Sequence, residues 1–425
     1  MGAFPVFHEK VHRVNVMANY LASKPRYEIL DGLRGVAALL VVAFHLFETY
    51  SEGVTHQIIN HGYLAVDFFF VLSGFVVGYA YDDRWGRMGM WPFFKRRLVR
   101  LHPLLVWGTF LGLLLFYFGS DMPDFARIGD VPVTTAVAVA LLCMTMVPLP
   151  QAWDIRGWGE MNPLNGATWS LFWEYLANVA YALVIRHFSK GVLAGFVVCS
   201  AVFTVVLCMD IDVFGCLAER SYAAYTVIGG WSLSPDQLQI GITRLLYPFF
   251  CGLLLSRLFQ DGTRSCAAGG EGGRGLRRSA CRIQPSAFRV RGAFWWCSLA
   301  VVVMLAMPRV GGDVAENYWM NGLYEAVCIL VVFPLVVVMG ASSSTQGRTT
   351  AVNKFLGDIS YPLYVTHYPL IYWQMSWAAT HASLPAAVHV AVAVSLFFLA
   401  VGVAYASLRL YDEPVRSWLR QKLLS

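Results

Sequence analysis

Long apolar runs alternate with short polar ones along the whole chain. Eleven apolar stretches can be marked, near 33–50, 62–81, 102–118, 132–150, 169–187, 191–209, 240–258, 293–308, 322–341, 358–378 and 384–408. Most approach the roughly 20 residues that an α-helix needs to cross the hydrocarbon of a bilayer. Lipid offers no partner to an unpaired backbone amide, so all of them are expected to be helical. The pattern predicts an all-α, polytopic integral membrane protein. Composition agrees, since 57% of the 425 residues are hydrophobic and 14% charged. Mean hydropathy is +0.55, more apolar surface than a water-soluble domain can hide.

Charge gives the expected orientation. Lys10, Arg13, Lys24 and Arg26 precede the first stretch, and Lys95, Arg96, Arg97 and Arg100 follow the second. Arg264, Arg274, Arg277, Arg278, Arg282, Arg289 and Arg291 follow the seventh, and Arg416, Arg420 and Lys422 close the chain. Basic loops stay in the cytoplasm, so all four clusters should share that side. Eleven full crossings would put the arginine-rich loop outside. Treating 132–150 as a re-entrant or interfacial segment returns it to the inside, together with Arg186 and Lys190, and leaves Asp210, Asp212, Asp313 and Glu316 outside.

The expectation is therefore about ten transmembrane helices plus one re-entrant or interfacial segment, with both termini cytoplasmic. Residues 1–28 form a cytoplasmic segment without the apolar core of a signal peptide. Residues 29–415 form one membrane domain, with a flexible basic loop at 260–292 that contains AAGGEGGRG, and 416–425 form a cytoplasmic tail. The nine cysteines show no ligand-like spacing, which argues for reduced thiols and no metal site. The net charge of +6 resides in the inner clusters and points to anionic headgroups or phosphates, not nucleic acid.

Ionisable groups inside apolar runs are costly and are candidates for function or for tying helices together. Arg34 and His45 lie eleven residues apart in GLRGVAALLVVAFHLF, within about 20° of three full turns, so they share one helix face about 16 Å apart. Arg34 could instead reach headgroups and His45 a neighbouring helix. Arg97 and Arg100 share a face in FFKRRLVRLHPLL, which suits either a topological cluster or a phosphate clamp. NGATWSLFWEY places Ser170 and Glu174 one turn apart beside Trp169 and Trp173, and a buried Glu174 needs an imidazole or arginine partner. In LGDISYPLYVTHYPL, Ser360, Tyr364 and His367 share a face, while Pro362 and Pro369 are expected to break the helix and free carbonyls. Asp67 lies near the outer end of the second stretch, and Glu48, one turn beyond His45, is a rival partner for that histidine. By depth, arginines gather at the inner face, while His45, Asp67, Glu174 and His367 gather in the outer half.

These residues carry a resemblance to the acyltransferase family 3 proteins, integral-membrane O-acyltransferases of lipopolysaccharide, exopolysaccharide, peptidoglycan and some antibiotics. It rests on Arg34-x10-His45 after LDGLRG, VDFFFVLSGF at 66–75, RRLVRLHP at 96–103, ATWSLFWE at 167–174, LGDISYPLYVTH at 356–367 and YDEP at 411–414, in that order. The resemblance implies a bacterial cytoplasmic membrane, acyl-CoA as donor from the cytoplasm, and a hydroxyl of a cell-envelope or exported glycan as acceptor. By matching position, His45 resembles the catalytic histidine, Arg34 its partner in the motif, and Arg97 with Arg100, next to Arg96, the group that holds CoA phosphates. Trp169, Ser170 and Glu174 match the family's Trp-Ser-x-x-x-Glu element, and Tyr364 and His367 fall at the expected acceptor end. After Glu174 the chain reads YLAN where many relatives have an aromatic pair, and the extracytoplasmic SGNH-type domain that some members carry is not expected here.

A sugar hydroxyl is a poor nucleophile near neutral pH, and a histidine can take its proton as it attacks a thioester. Glu174, or else Asp67, would orient the imidazole and stabilise its charged form. A two-step route through an acyl-histidine is equally open. An ion-coupled transporter would also place His, Glu and Arg at mid-membrane, but no inverted repeat is visible.

Overall fold

The computed structural model describes residues 24, 26–51, 53, 56–57, 59–119, 130–217, 223–268, 285–312 and 314–424. Each of the eleven apolar stretches contains helix, though 132–150 is helical only over 133–143, and no strand occurs among the described residues. The helices are α1 (Glu28–Glu48), α2 (Ala65–Tyr81), α3 (Met90–Gly119), α4 (Val133–Cys143), α5 (Trp169–Leu183), α6 (Lys190–Cys208) and α7 (Pro235–Ala268). They continue as α8 (Ala293–Ala306), α9 (Tyr318–Val327), α10 (Phe333–Ser342), α11 (Arg348–Thr380), α12 (Ala386–Ser407) and α13 (Glu413–Leu423). A π-turn at Cys328–Val332 joins α9 to α10, and another at Leu408–Asp412 joins α12 to α13.

Among the described residues, seven helical runs are long and apolar enough to cross a membrane: Glu28–Glu48, Gly62–Tyr81, Met90–Tyr117, Lys190–Cys208, Pro235–Gln260, Ala315–Ser342 and Ala386–Leu423. Helix α4 has 11 residues, about 16 Å of rise against a hydrocarbon thickness of about 30 Å. The basic loop read at 260–292 begins as a continuation of α7 to Ala268, and its residues 269–284 lie outside the described residues, as does the N-terminal segment to residue 23. The tail is helical as part of α13, not irregular.

Two helix pairs form the frame, α1 with α11 and α2 with α7. Both pairs run parallel and meet through glycine. A side chain at Gly35 would overlap Leu356, and one at Gly32 would overlap Asn353, so the α1 and α11 backbones touch here. Ten residues further along α1, His45 faces His367. Gly74 and Gly78 form a small-xxx-small step on α2, where Gly74 meets the Phe249 carbonyl and Gly78 meets Leu253 of α7. Without a hydrophobic drive between helices in lipid, such backbone approach supplies dispersion contact that larger side chains would forbid.

One sequence expectation fails in α11. Pro362 and Pro369 do not break it, because the helix runs unbroken through both. Proline at 369 removes the amide that would bond the Val365 carbonyl, four residues back. Asn165, from the chain entering α5, donates its Nδ2 to that oxygen at 2.7 Å. A neighbouring segment thus satisfies the freed carbonyl, and the helix has no need to open.

Candidate active site

The last turn of α1 presents His45, whose Nδ1 lies 2.6 Å from Glu48 Oε2. A spacing of three puts the two side chains on one helix face. The carboxylate only accepts, so Nδ1 carries a proton, and in the neutral ring Nε2 keeps a lone pair. His367 of α11 stacks beside it, ring centroids 5.5 Å apart and planes 30° apart. His367 Nδ1 donates to the carbonyls of Tyr364 at 2.9 Å and Leu363 at 3.1 Å. Its Nε2 is buried without a partner and is likewise a bare acceptor. Tyr368 closes the group with its ring nearly perpendicular to His45 at 4.8 Å. One turn earlier on α11, Tyr364 shares a 2.7 Å hydrogen bond with Ser170 at the start of α5.

At the other end of α1 the arginines converge. Arg97 Nη2 donates to Glu174 Oε1 at 2.6 Å, and Ser73 Oγ donates to the same oxygen at 2.6 Å. Arg100 lies within electrostatic range of Arg97, Arg34 and Glu174, is exposed, and makes no ion pair among the described residues. Arg34 stands 3.9 Å from Asp31, and Arg96 has a buried Nε without a partner. The expected pairing is corrected here: the carboxylate on His45 is Glu48, and Glu174 belongs to the arginine layer.

Asp67 is also engaged elsewhere. Its two oxygens take Arg244 Nε at 3.2 Å and Nη2 at 2.6 Å, with both side chains buried. The rest of that guanidinium bonds the carbonyls of Gly229 and Tyr63, and it lies over the Trp169 ring at 5.1 Å. Beside it, Glu325 accepts from Tyr63, Asn321 and the Val227 amide, and Asn321 also contacts His61. Asp67 and Trp169 therefore face an arginine, not the histidine pair.

Residues 27–409 match a family model, Acyl_transf_3, described as an acyltransferase domain. The chain belongs to this acyltransferase family. A Rhizobium radiobacter protein named "Protein 2 in picA locus" is 34% identical over 193 residues, 43% of this chain and 93% of that protein. A "Putative O-acetyltransferase" of Staphylococcus aureus (strain COL) is 37% identical over 81 residues, 18% of this chain and 12% of its own length. "Putative peptidoglycan O-acetyltransferase YrhL" of Bacillus subtilis (strain 168) is 33% identical over 93 residues, 20% of this chain and 13% of its own. No solved structure matches.

As a member of this family with several apolar, membrane-length helices, the protein is an integral membrane acyltransferase. In their neutral forms the two imidazoles of the pair each offer a free ring nitrogen, and the His45 ring is backed by a carboxylate. That arrangement suits proton removal from a hydroxyl. Three residues grouped beyond Tyr368 were not singled out in the sequence: Arg156 and Glu160 on the segment before α5, and Tyr372 on α11. Glu160 accepts a short hydrogen bond from the Tyr372 hydroxyl, and Arg156 lies 3.7 Å from the centre of the Tyr372 ring. These loop residues sit between apolar stretches, where polar side chains are ordinary. By contrast, Arg244 and Glu325 are charges inside apolar stretches, so the rule applied to Asp67 would have found them.

Proposed function

We propose that this acyltransferase moves an acyl group, most simply acetyl, from cytoplasmic acyl-CoA to a hydroxyl of a cell-surface or exported carbohydrate. In this reading it sits in a bacterial inner membrane with about ten crossings and both termini cytoplasmic. The parallel pairings support that count. For α1 and α11 to run parallel, an even number of crossings must start at α1 and end before α11. The condition holds when α4 turns back and fails when it crosses, and the α2–α7 pair gives the same result. The names of the Staphylococcus aureus and Bacillus subtilis relatives support acetyl transfer to oxygen, and the second supports a glycan acceptor.

The observation that carries the reading is the carboxylate-backed imidazole at one end of α1 and the arginine group at the other. Arg34, Arg97 and Arg100, flanked by Arg96, hold the phosphates of CoA through guanidinium forks. Its pantetheine arm then spans about 16 Å toward His45. His45 Nε2 takes the proton of the acceptor hydroxyl as the oxygen bonds to the thioester carbonyl. The carbon–sulfur bond breaks, and the imidazolium returns the proton to the departing thiolate. Glu48 stabilises the charged ring meanwhile. Ser170, Tyr364 and His367 line the acceptor side. Membrane lipids complete the surroundings.

Mass spectrometry of envelope glycans from cells with the native protein should show acetyl esters that are lost with His45→Ala, while the purified variant still binds CoA. Removing a general base costs about 10²–10⁴-fold. Near-normal acetylation by a folded His45→Ala protein would overturn this assignment.

A further inference from the structure

The segment 154–165, between α4 and α5, lies outside every helix long enough to cross a membrane, yet it reaches Tyr372 on α11, whose ring packs on Tyr368, the neighbour of His45. It is shaped internally: Asp154 accepts from the amides of Arg156 at 2.9 Å and Gly159 at 2.5 Å. It is tied to the bundle by Met161, whose amide donates to the Trp231 carbonyl at 2.8 Å. Its one fully buried carboxylate, Glu160, accepts from Tyr372, and the Tyr372 hydroxyl in turn accepts from the Gly166 amide at 3.2 Å. Tyr372 stands edge-to-face with Tyr368 at 4.8 Å, and Tyr368 meets His45 at 4.8 Å. Glu160, Tyr368 and Tyr372 all converge on Gly166, where a side chain would lie 2.5 to 2.8 Å from an atom of each.

We propose that Glu160 is a positioning residue, which through Tyr372 holds Tyr368 against the His45 ring. A hydroxyl bonded to a buried carboxylate has one orientation, so the Tyr372 ring cannot swing, and the Tyr368 ring packed on its face cannot either. Tyr368 in turn limits how the His45 imidazole can rotate about its side-chain bonds. Glu48 fixes one ring nitrogen, and Tyr368 fixes the plane. The catalytic part of this inference rests on the acyl-transfer reading above; the positioning part does not.

The test uses the full-length protein in phospholipid vesicles. Diethylpyrocarbonate modification of individual histidines is followed by mass spectrometry, with the exposed His187 and His381 as internal references. Glu160→Ala should raise the modification rate of His45 several-fold relative to both references. Glu160→Gln, which still accepts from Tyr372, should leave it near native, and Tyr372→Phe should move it in the same direction as Glu160→Ala. In parallel, acyl transfer by Glu160→Ala should fall about 10–100-fold in kcat, the cost of a misplaced catalytic group, with KM for acyl-CoA unchanged. An unchanged His45 rate in Glu160→Ala, or a Glu160→Gln protein as reactive as Glu160→Ala, overturns the proposal. If Glu160→Ala fails to fold, Tyr372→Phe decides by the same comparison. Absence of transfer in the native protein would count against the function proposed above, and the modification rates would still decide the role of Glu160.

Discussion

Two of the polar clusters between the helices, one around Asp67 and one around His45, differ in what is left over. Around Asp67 and Arg244 the central network is closed: both Asp67 oxygens, all three Arg244 nitrogens, both Glu325 oxygens, and both ends of Asn321 and His61 have partners. Around His45 and His367 the Nδ1 atoms are engaged, but His367 Nε2 is buried and unmatched. A closed network has no valence to offer a ligand and serves to fix helices. A buried acceptor without a donor costs free energy, which a donor that reached it would repay. Number of charges is thus a poor guide to function here. The cluster with more of them is the closed one.

The comparison is most easily broken at the closed cluster. Asp67→Ala or Arg244→Ala should cost about 3–5 kcal/mol of stability, because the remaining charge is buried without its partner. Thermal unfolding in detergent measures this, and replacing both residues by apolar ones of similar volume should recover most of the loss. Full stability with selective loss of transfer would move Asp67 back among the catalytic residues.

A smaller effect should appear with pH at the border of the open cluster. Burial pushes the Glu160 carboxyl up from 4.5 to about 7; the neighbouring Asp154 and Glu48 add to this, and Tyr372 and Arg156 oppose it. The folded protein therefore holds a proton that the unfolded chain has released between pH 4.5 and about 7. The contribution of this group to stability is complete below pH 4.5 and is lost as pH rises to about 7. Its slope cannot exceed about 1.4 kcal/mol per pH unit. Thermal unfolding across this window should show a flatter profile for Glu160→Gln than for the native protein, and equal slopes would show that Glu160 is ionised throughout.

The smallest effect is expected at the open acceptor itself. His367→Phe keeps a ring between His45 and Tyr364 but removes the bare nitrogen. It should raise KM for the acceptor several-fold, about 1 kcal/mol for one hydrogen bond, with KM for acyl-CoA unchanged. Acceptor titrations at saturating acyl-CoA would measure it. An unaltered acceptor KM would mean that His367 Nε2 meets no substrate.

Much of the fold was legible because membrane helices are written in uninterrupted apolar runs. The stripe of Arg34 and His45 was legible for the same local reason, and so was Glu48 as a rival partner within one turn. The proline break in α11 was misread, since the donor that satisfies Val365 comes from Asn165, 200 residues away. Glu174 was correctly marked as a carboxylate in need of a partner, but spacing along one helix cannot tell an imidazole from an arginine on another.

The sequence alone determined which segments are helical, which residues share a helix face, and which charges stand inside apolar runs. Those properties depend on rise, twist and composition, all set within a few residues. Tertiary structure decided the pairings. Arg97 with Glu174 joins residues 77 positions apart, and Arg244 with Asp67 joins residues 177 apart. Only the packing of helices, which for Asp67 and Arg244 includes the glycine contacts of α2 with α7, brings such partners within reach.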